Sequence, residues 1–137
     1  METFDLQIKY KSQERSKDSN GSMETITIEG NNMSYEISYW GFKSENALED
    51  NKKTTISDNE IDDIKIYLEQ NKLNKNINKE IKDEKNGSRF NTFTYLLANN
   101  YKKEQIIIEI SSNNSNVDND VFGSLRELFF KLKLMFI

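Results

Sequence analysis

The chain has 137 residues, 35% of them hydrophobic and 31% charged, with a net charge of −4 and no histidine, cysteine or proline. Lacking thiol and imidazole, it has no disulfide framework, no thiolate or histidine metal site, no cysteine nucleophile and no Ser-His-Asp triad. Its length suits a single domain over 1–137 with a core that needs no cross-links. The acidic balance opposes general nucleic-acid binding through phosphate. The start METFDLQIKY shows no basic segment followed by an apolar run, and no stretch of about 20 apolar residues follows, so a cytoplasmic location without membrane contact is expected.

Residues 4–10 alternate, with Phe4, Leu6, Ile8 and Tyr10 on one face and Asp5, Gln7 and Lys9 on the other, the period of a half-buried strand. A polar loop over 11–22 contains Asn20-Gly21. Residues 23–40 read as a hairpin about Gly30-Asn31, which suits a two-residue primed turn. That turn sets Ile28 opposite Met33 and Ile26 opposite Tyr35, with Ile37 and Tyr39 continuing the face. Turn chemistry and hydrophobic phase therefore specify the same register.

A polar connection over 41–55 leads to Ser57, followed three residues later by Glu60, the pattern of a capping box. Ile61, Ile64, Tyr67 and Leu68 then recur at helical spacing, and a helix over 58–71 is predicted. In the Lys/Asn-rich stretch 72–89, Ile77 and Ile81 suggest a short helix. Residues 90–98 and 104–111 form a second hairpin, Phe93, Tyr95 and Leu97 sharing a face with Ile106, Ile108 and Ile110. The last segment carries Val121, Phe122, Leu125, Leu128, Phe129, Leu132, Met135 and Phe136 at i, i+3, i+4 spacing. Asp118 or Asp120 is the expected cap, and Ser124 to Glu127 offers a later start. Residues 130–136 also alternate with period 2, but Leu, Lys and Met favour helix. The expected fold is α+β: an antiparallel sheet of about five strands in the order β-ββ-α-ββ-α, with two helices packed on one face.

The candidate sites are few. Asn116, Asp118 and Asp120, with Glu127 beyond, echo calcium-loop spacing, yet Val121 stands where that loop needs glycine. Glu60, Asp62 and Asp63 fall where the helix macrodipole favours negative charge. Trp40 has the opposite phase to Tyr35 and Tyr39 and, with Phe42, is the candidate interaction surface, since aromatic side chains dominate interface hot spots. Trp40→Ala is expected to leave stability nearly unchanged if the ring is an exposed anchor, and to lower it strongly if the ring belongs to an edge strand covered by the 41–55 connection. No catalytic, metal or cofactor site is expected. The leading expectation is a small non-catalytic protein-interaction module, for instance an immunity- or antitoxin-type inhibitor, acting on another protein as a monomer or weak homodimer. The alternative is a small-ligand-binding domain with a pocket between sheet and helices, its tyrosine hydroxyls orienting the ligand.

Overall fold

The computed structural model describes residues 3–14, 20–41 and 50–136. Nine elements follow one another: β1 (Asp5–Glu14), β2 (Gly21–Glu29), β3 (Asn32–Trp40), β4 (Lys52–Thr55), α1 (Asp58–Gln70), β5 (Ile77–Ile81), β6 (Asn91–Asn99), β7 (Ile106–Ser112) and α2 (Asp120–Leu134). The strands form one sheet of seven in the order β4-β3-β2-β1-β6-β7-β5, antiparallel throughout except where β5 runs parallel to β7. The α+β class and the two helices agree with the expectation, whereas the sheet is larger than the expected five strands.

The first hairpin has the expected register, with Ile28 opposite Met33 and Ile26 opposite Tyr35. Gly30 takes φ +61, and Asn31 is not among the residues of positive φ, as in a type II′ turn. In the second hairpin Leu97 pairs with Ile108 and Tyr95 with Ile110, again as expected. β1 continues to Glu14, and β2 begins at Gly21, both further into the 11–22 stretch than the alternation of apolar residues reaches.

Two segments correct the sequence reading. Residues 52–55, read as part of a polar connection, are the edge strand β4. Residues 77–81, read as a short helix, are the opposite edge strand β5. Ile77 and Ile81 lie four apart, a spacing that also fits one face of a strand. Pairing with the apolar β7 decides in favour of the strand.

Both helix starts are capped. Ser57 and Glu60 form the reciprocal box, Ser57 Oγ accepting from the Glu60 amide at 3.1 Å and the Glu60 carboxylate accepting from the Ser57 amide at 3.0 Å. In α2 the cap is Asn119, neither Asp118 nor Asp120. Its Oδ1 accepts from the amides of Val121 and Phe122 at 3.0 and 3.1 Å. The helix then runs through Leu134, so most of the alternating 130–136 stretch is helical.

Ile61, Ile64 and Leu68 of α1, and Phe122, Leu125, Leu128, Phe129 and Leu132 of α2, share one core cluster with the inner sheet residues Leu6, Ile8, Ile26, Ile28, Leu97, Ile108 and Ile110. Burying each large apolar side chain contributes roughly 1.5–3 kcal/mol against its exposed state. α2 spans several strands: Phe122 packs edge-on to Tyr95, Phe129 tilts against Tyr10, and Phe136 meets Tyr35. The other sheet face carries Gln7, Lys9, Thr25, Thr27, Ser34 and Glu36, a polar side over which, among the described residues, no helix packs. Among the described residues no helix is long and apolar enough to cross a membrane.

Candidate functional site

The sheet register gathers the candidate residues at one rim. Trp40 pairs with Gly21, Gly21 with Gln13, and Gln13 with Thr92, so the ends of β3, β2 and β1 and the start of β6 form one row. At about 4.8 Å per strand, three steps separate Trp40 from Thr92 by about 14 Å. The loops after β5 and β7 reach the same rim, because Ile81 pairs with Ser112 and Ser112 with Phe93.

Trp40 is half-buried. Its indole lies over Gly21 so closely that a Cβ added there would stand 2.3 Å from Cζ2. Lys11 Nζ sits 5.7 Å from the ring centroid, within cation–π range. The ring thus rests on its own sheet and is neither a core residue nor fully free. Phe42, its companion in the sequence reading, lies outside the described residues.

On the far side of the rim, residues 82–90 form a loop fixed by side-chain hydrogen bonds. The Asp83 amide donates to Asn113 Oδ1 at 2.8 Å, and Asn113 Nδ2 donates back to the Asp83 carbonyl at 3.2 Å. The Ser88 amide donates to the Asn113 carbonyl at 2.8 Å. The Asp83 carboxylate accepts from the amides of Lys85 and Asn86 and from Asn114 Nδ2. These donors, first the Asn86 amide and then the Asn114 side chain, hold its pKa below the ordinary carboxylate value. Ser88 Oγ accepts from the amides of Phe90 and Asn91, closing the turn into β6. Gly87 is required here, since a Cβ would fall 2.1 Å from Asn113 Nδ2 and 2.2 Å from the Asp83 carbonyl oxygen.

This scaffold presents Arg89 and Phe90 outward, with Phe90 60% exposed. From sequence, Phe90 falls at the start of the strand expected over 90–98 and is not among the candidate residues. A signal was present: its even number is out of phase with Phe93, Tyr95 and Leu97, which define the core face. Beside it lies a concavity of about 340 Å³ lined by Lys82, Asp83, Arg89, Thr92, Ser111 and Asn113 among others.

The remaining candidates have structural roles or stay apart. Glu60 belongs to the capping box, while Asp62, Asp63, Asp118 and Asp120 are exposed. Among the described residues no three acidic side chains converge as a metal would need. Two of the tyrosine hydroxyls are committed to internal partners. Tyr35 donates to Glu24 Oε1 at 2.6 Å, an oxygen that also accepts from Lys133 Nζ, and Tyr67 donates to the Ser124 carbonyl at 2.8 Å. Burial pushes Tyr10, Tyr35, Tyr67 and Tyr95 above the usual phenol value. The Glu24 hydrogen bond adds to the shift at Tyr35, and the charge of Glu127 to that at Tyr67.

No known protein family, curated protein or solved structure matches this chain.

The geometry of the rim is therefore what a functional reading has to rest on. It combines two aromatic side chains of opposite character, Trp40 bedded on the sheet and Phe90 projecting from a hydrogen-bonded loop. Each is accompanied by a cationic side chain, Lys11 and Arg89 respectively.

Proposed function

We propose that this chain is a non-catalytic protein-interaction module that engages its partner through the sheet rim, with Phe90 and Arg89 as the anchor. The observation that carries this reading is the exposure of Phe90 on a loop already fixed by Asp83, Ser88 and Asn113. An ordered loop has little conformational entropy left to lose on binding. Aromatic side chains and arginine are the residues that most often dominate interface energetics. Trp40, on the same rim, supplies a second contact.

An inhibitor of the immunity or antitoxin type, acting in the cytoplasm, is the concrete form of the proposal: the net charge of −4 favours approach to a basic partner, while Arg89 and Lys11 at the rim call for an acidic patch where that partner docks. The test uses the whole chain as bait in extracts of its source cells, comparing wild type with Phe90→Ala and Arg89→Ala. A partner retained by wild type and lost by both variants, at unchanged melting temperature, supports the rim. A partner held equally well by all three baits removes it.

A second reading, the binding of a small polar ligand, draws on the concavity beside Phe90. Thr92→Ala, on the lining but outside the hydrogen bonds that hold the loop, would weaken such a ligand directly. Phe90→Ala would spare it, the reverse of its effect on a protein partner.

A further inference from the structure

α2 carries a second apolar stripe, on the side turned away from the sheet. Phe130 and Leu134 are 61% and 48% exposed there. At about 100° per residue they share that side with Gly123 and Glu127, and the alternating steps of four and three along 123, 127, 130 and 134 are those of a helix-pairing seam. Gly123 is not demanded by the fold: a Cβ there would meet nothing nearer than Arg126 Nη2 at 3.8 Å, and its φ is not positive. A glycine inside a helix is destabilising relative to alanine.

We propose that two copies of this chain associate through this stripe, their α2 helices antiparallel about a two-fold axis. In that arrangement Gly123 of one copy faces Leu134 of the other, and Glu127 faces Phe130. The space above Gly123 receives the Leu134 side chain, which accounts for a residue that internal packing leaves unexplained. Glu127 and Lys131 are both exposed and one turn apart, so each comes within reach of the opposite charge on the second copy, and the two-fold axis makes the pair reciprocal. Within their own fold Lys131 Nζ lies 4.7 Å from the Tyr67 ring centroid and Glu127 accepts from the Tyr67 hydroxyl at 3.5 Å, contacts that leave both side chains exposed, whereas Lys133 is held on Glu24 and Arg126 donates to the Ser115 carbonyl. A helix of 15 residues is about 22 Å long and buries less than the roughly 800 Å² per partner of a standard interface. The dimer is therefore weak and concentration-dependent. It leaves the rim free, so it does not depend on the function proposed above.

Sedimentation equilibrium of the full chain between about 10 μM and 1 mM reads the association directly, over the range expected of a small interface. The mass should rise from one chain towards two. Glu127→Lys alone and Lys131→Glu alone each raise the dissociation constant by about tenfold, and their equimolar mixture restores association as a heterodimer. Gly123→Leu fills the seat of Leu134 and abolishes pairing without lowering the melting temperature. Phe90→Ala leaves pairing intact. A chain that stays monomeric at the highest concentration, or a charge-swap mixture that associates no better than its components, overturns the proposal. So does recruitment of the monomer to anionic vesicles in place of self-association.

Discussion

The indole of Trp40 lies directly on the backbone of Gly21, its cross-strand neighbour on the open face of the sheet. A side chain at position 21 would stand in the ring and also 2.7 Å from the Ser12 carbonyl oxygen. Gly21→Ala must therefore displace the indole and strain the β1–β2 ladder. The expected loss is about 1–3 kcal/mol, the usual cost of overpacking. Trp40 is the only tryptophan, so the variant should also shift its emission to the red as the ring leaves its seat. Urea melts followed by fluorescence and by far-ultraviolet circular dichroism measure both effects. An unchanged midpoint would contradict the packing described.

The loop that presents Phe90 should be breakable without unfolding the sheet. Gly87→Ala sets a methyl against the Asp83 carbonyl, a backbone atom that cannot swing aside. Amide exchange should then accelerate at Lys85, Asn86 and Ser88 while the core strands keep their protection. Acid should produce the same local opening in the wild type. The folded-state pKa of Asp83 is depressed, so its carboxylate supports the loop above the ordinary carboxylate pKa. That support is lost as pH falls through the lowered value. Exchange at Lys85 and Asn86 that stays slow in the variant would show that the loop is held by other means.

Much of this fold is legible in the sequence where two independent signals coincide. Gly30-Asn31 and the alternation on either side of it specify the same pairing of Ile28 with Met33, and Ser57, Glu60 and the Ile61 periodicity specify the same helix. The edge strands carry no such agreement. Lys52 to Thr55 has no apolar residue at all, and Ile77 and Ile81 satisfy helical and extended spacing alike. Their conformation is set by distant neighbours, Tyr35 and Met33 for the first and Ile108 and Ile110 for the second. The rim was half legible. The phase of Trp40 is evident from its neighbours, whereas the exposure of Phe90 depends on Asn113, which folds back onto Asp83 from far along the chain.

Alkaline pH should weaken the fold through its buried phenols. Tyr10, Tyr35, Tyr67 and Tyr95 all have folded-state pKa values raised above 10, that of Tyr67 to about 12. The folded state thus holds its protons where the unfolded chain has released them. The stability linked to these groups is fully present below pH 10 and declines as pH rises through the folded values. The melting temperature should hold to about pH 9.5 and then fall, with ionisation at 295 nm following unfolding. Tyr67→Phe removes the donor to the Ser124 carbonyl, so it should lower stability at neutral pH and flatten the decline between pH 10 and 12. A variant with the wild-type alkaline profile would show that Tyr67 ionises freely.

Lys79 guards the edge strand β5. It falls between Ile77 and Ile81 on the inner side of the sheet, and among the described residues no strand pairs with the far side of β5. Two such edges meeting antiparallel about a two-fold axis, with inner faces aligned, would bring Lys79 opposite its own copy and Ile77 opposite Ile81. Like charges directly opposed across a strand pair are destabilising, and an inward-facing lysine is a recurrent way of blunting an exposed edge. Lys79→Ile should therefore keep or raise the melting temperature, since isoleucine favours strands. It should also lower the concentration at which sheet-rich aggregates appear by about tenfold. Light scattering and thioflavin fluorescence across a concentration series check this, with Lys79→Glu as the control that keeps a charge at the edge and should stay soluble. If both variants aggregate alike, the loss of a lysine matters and the charge at the edge does not.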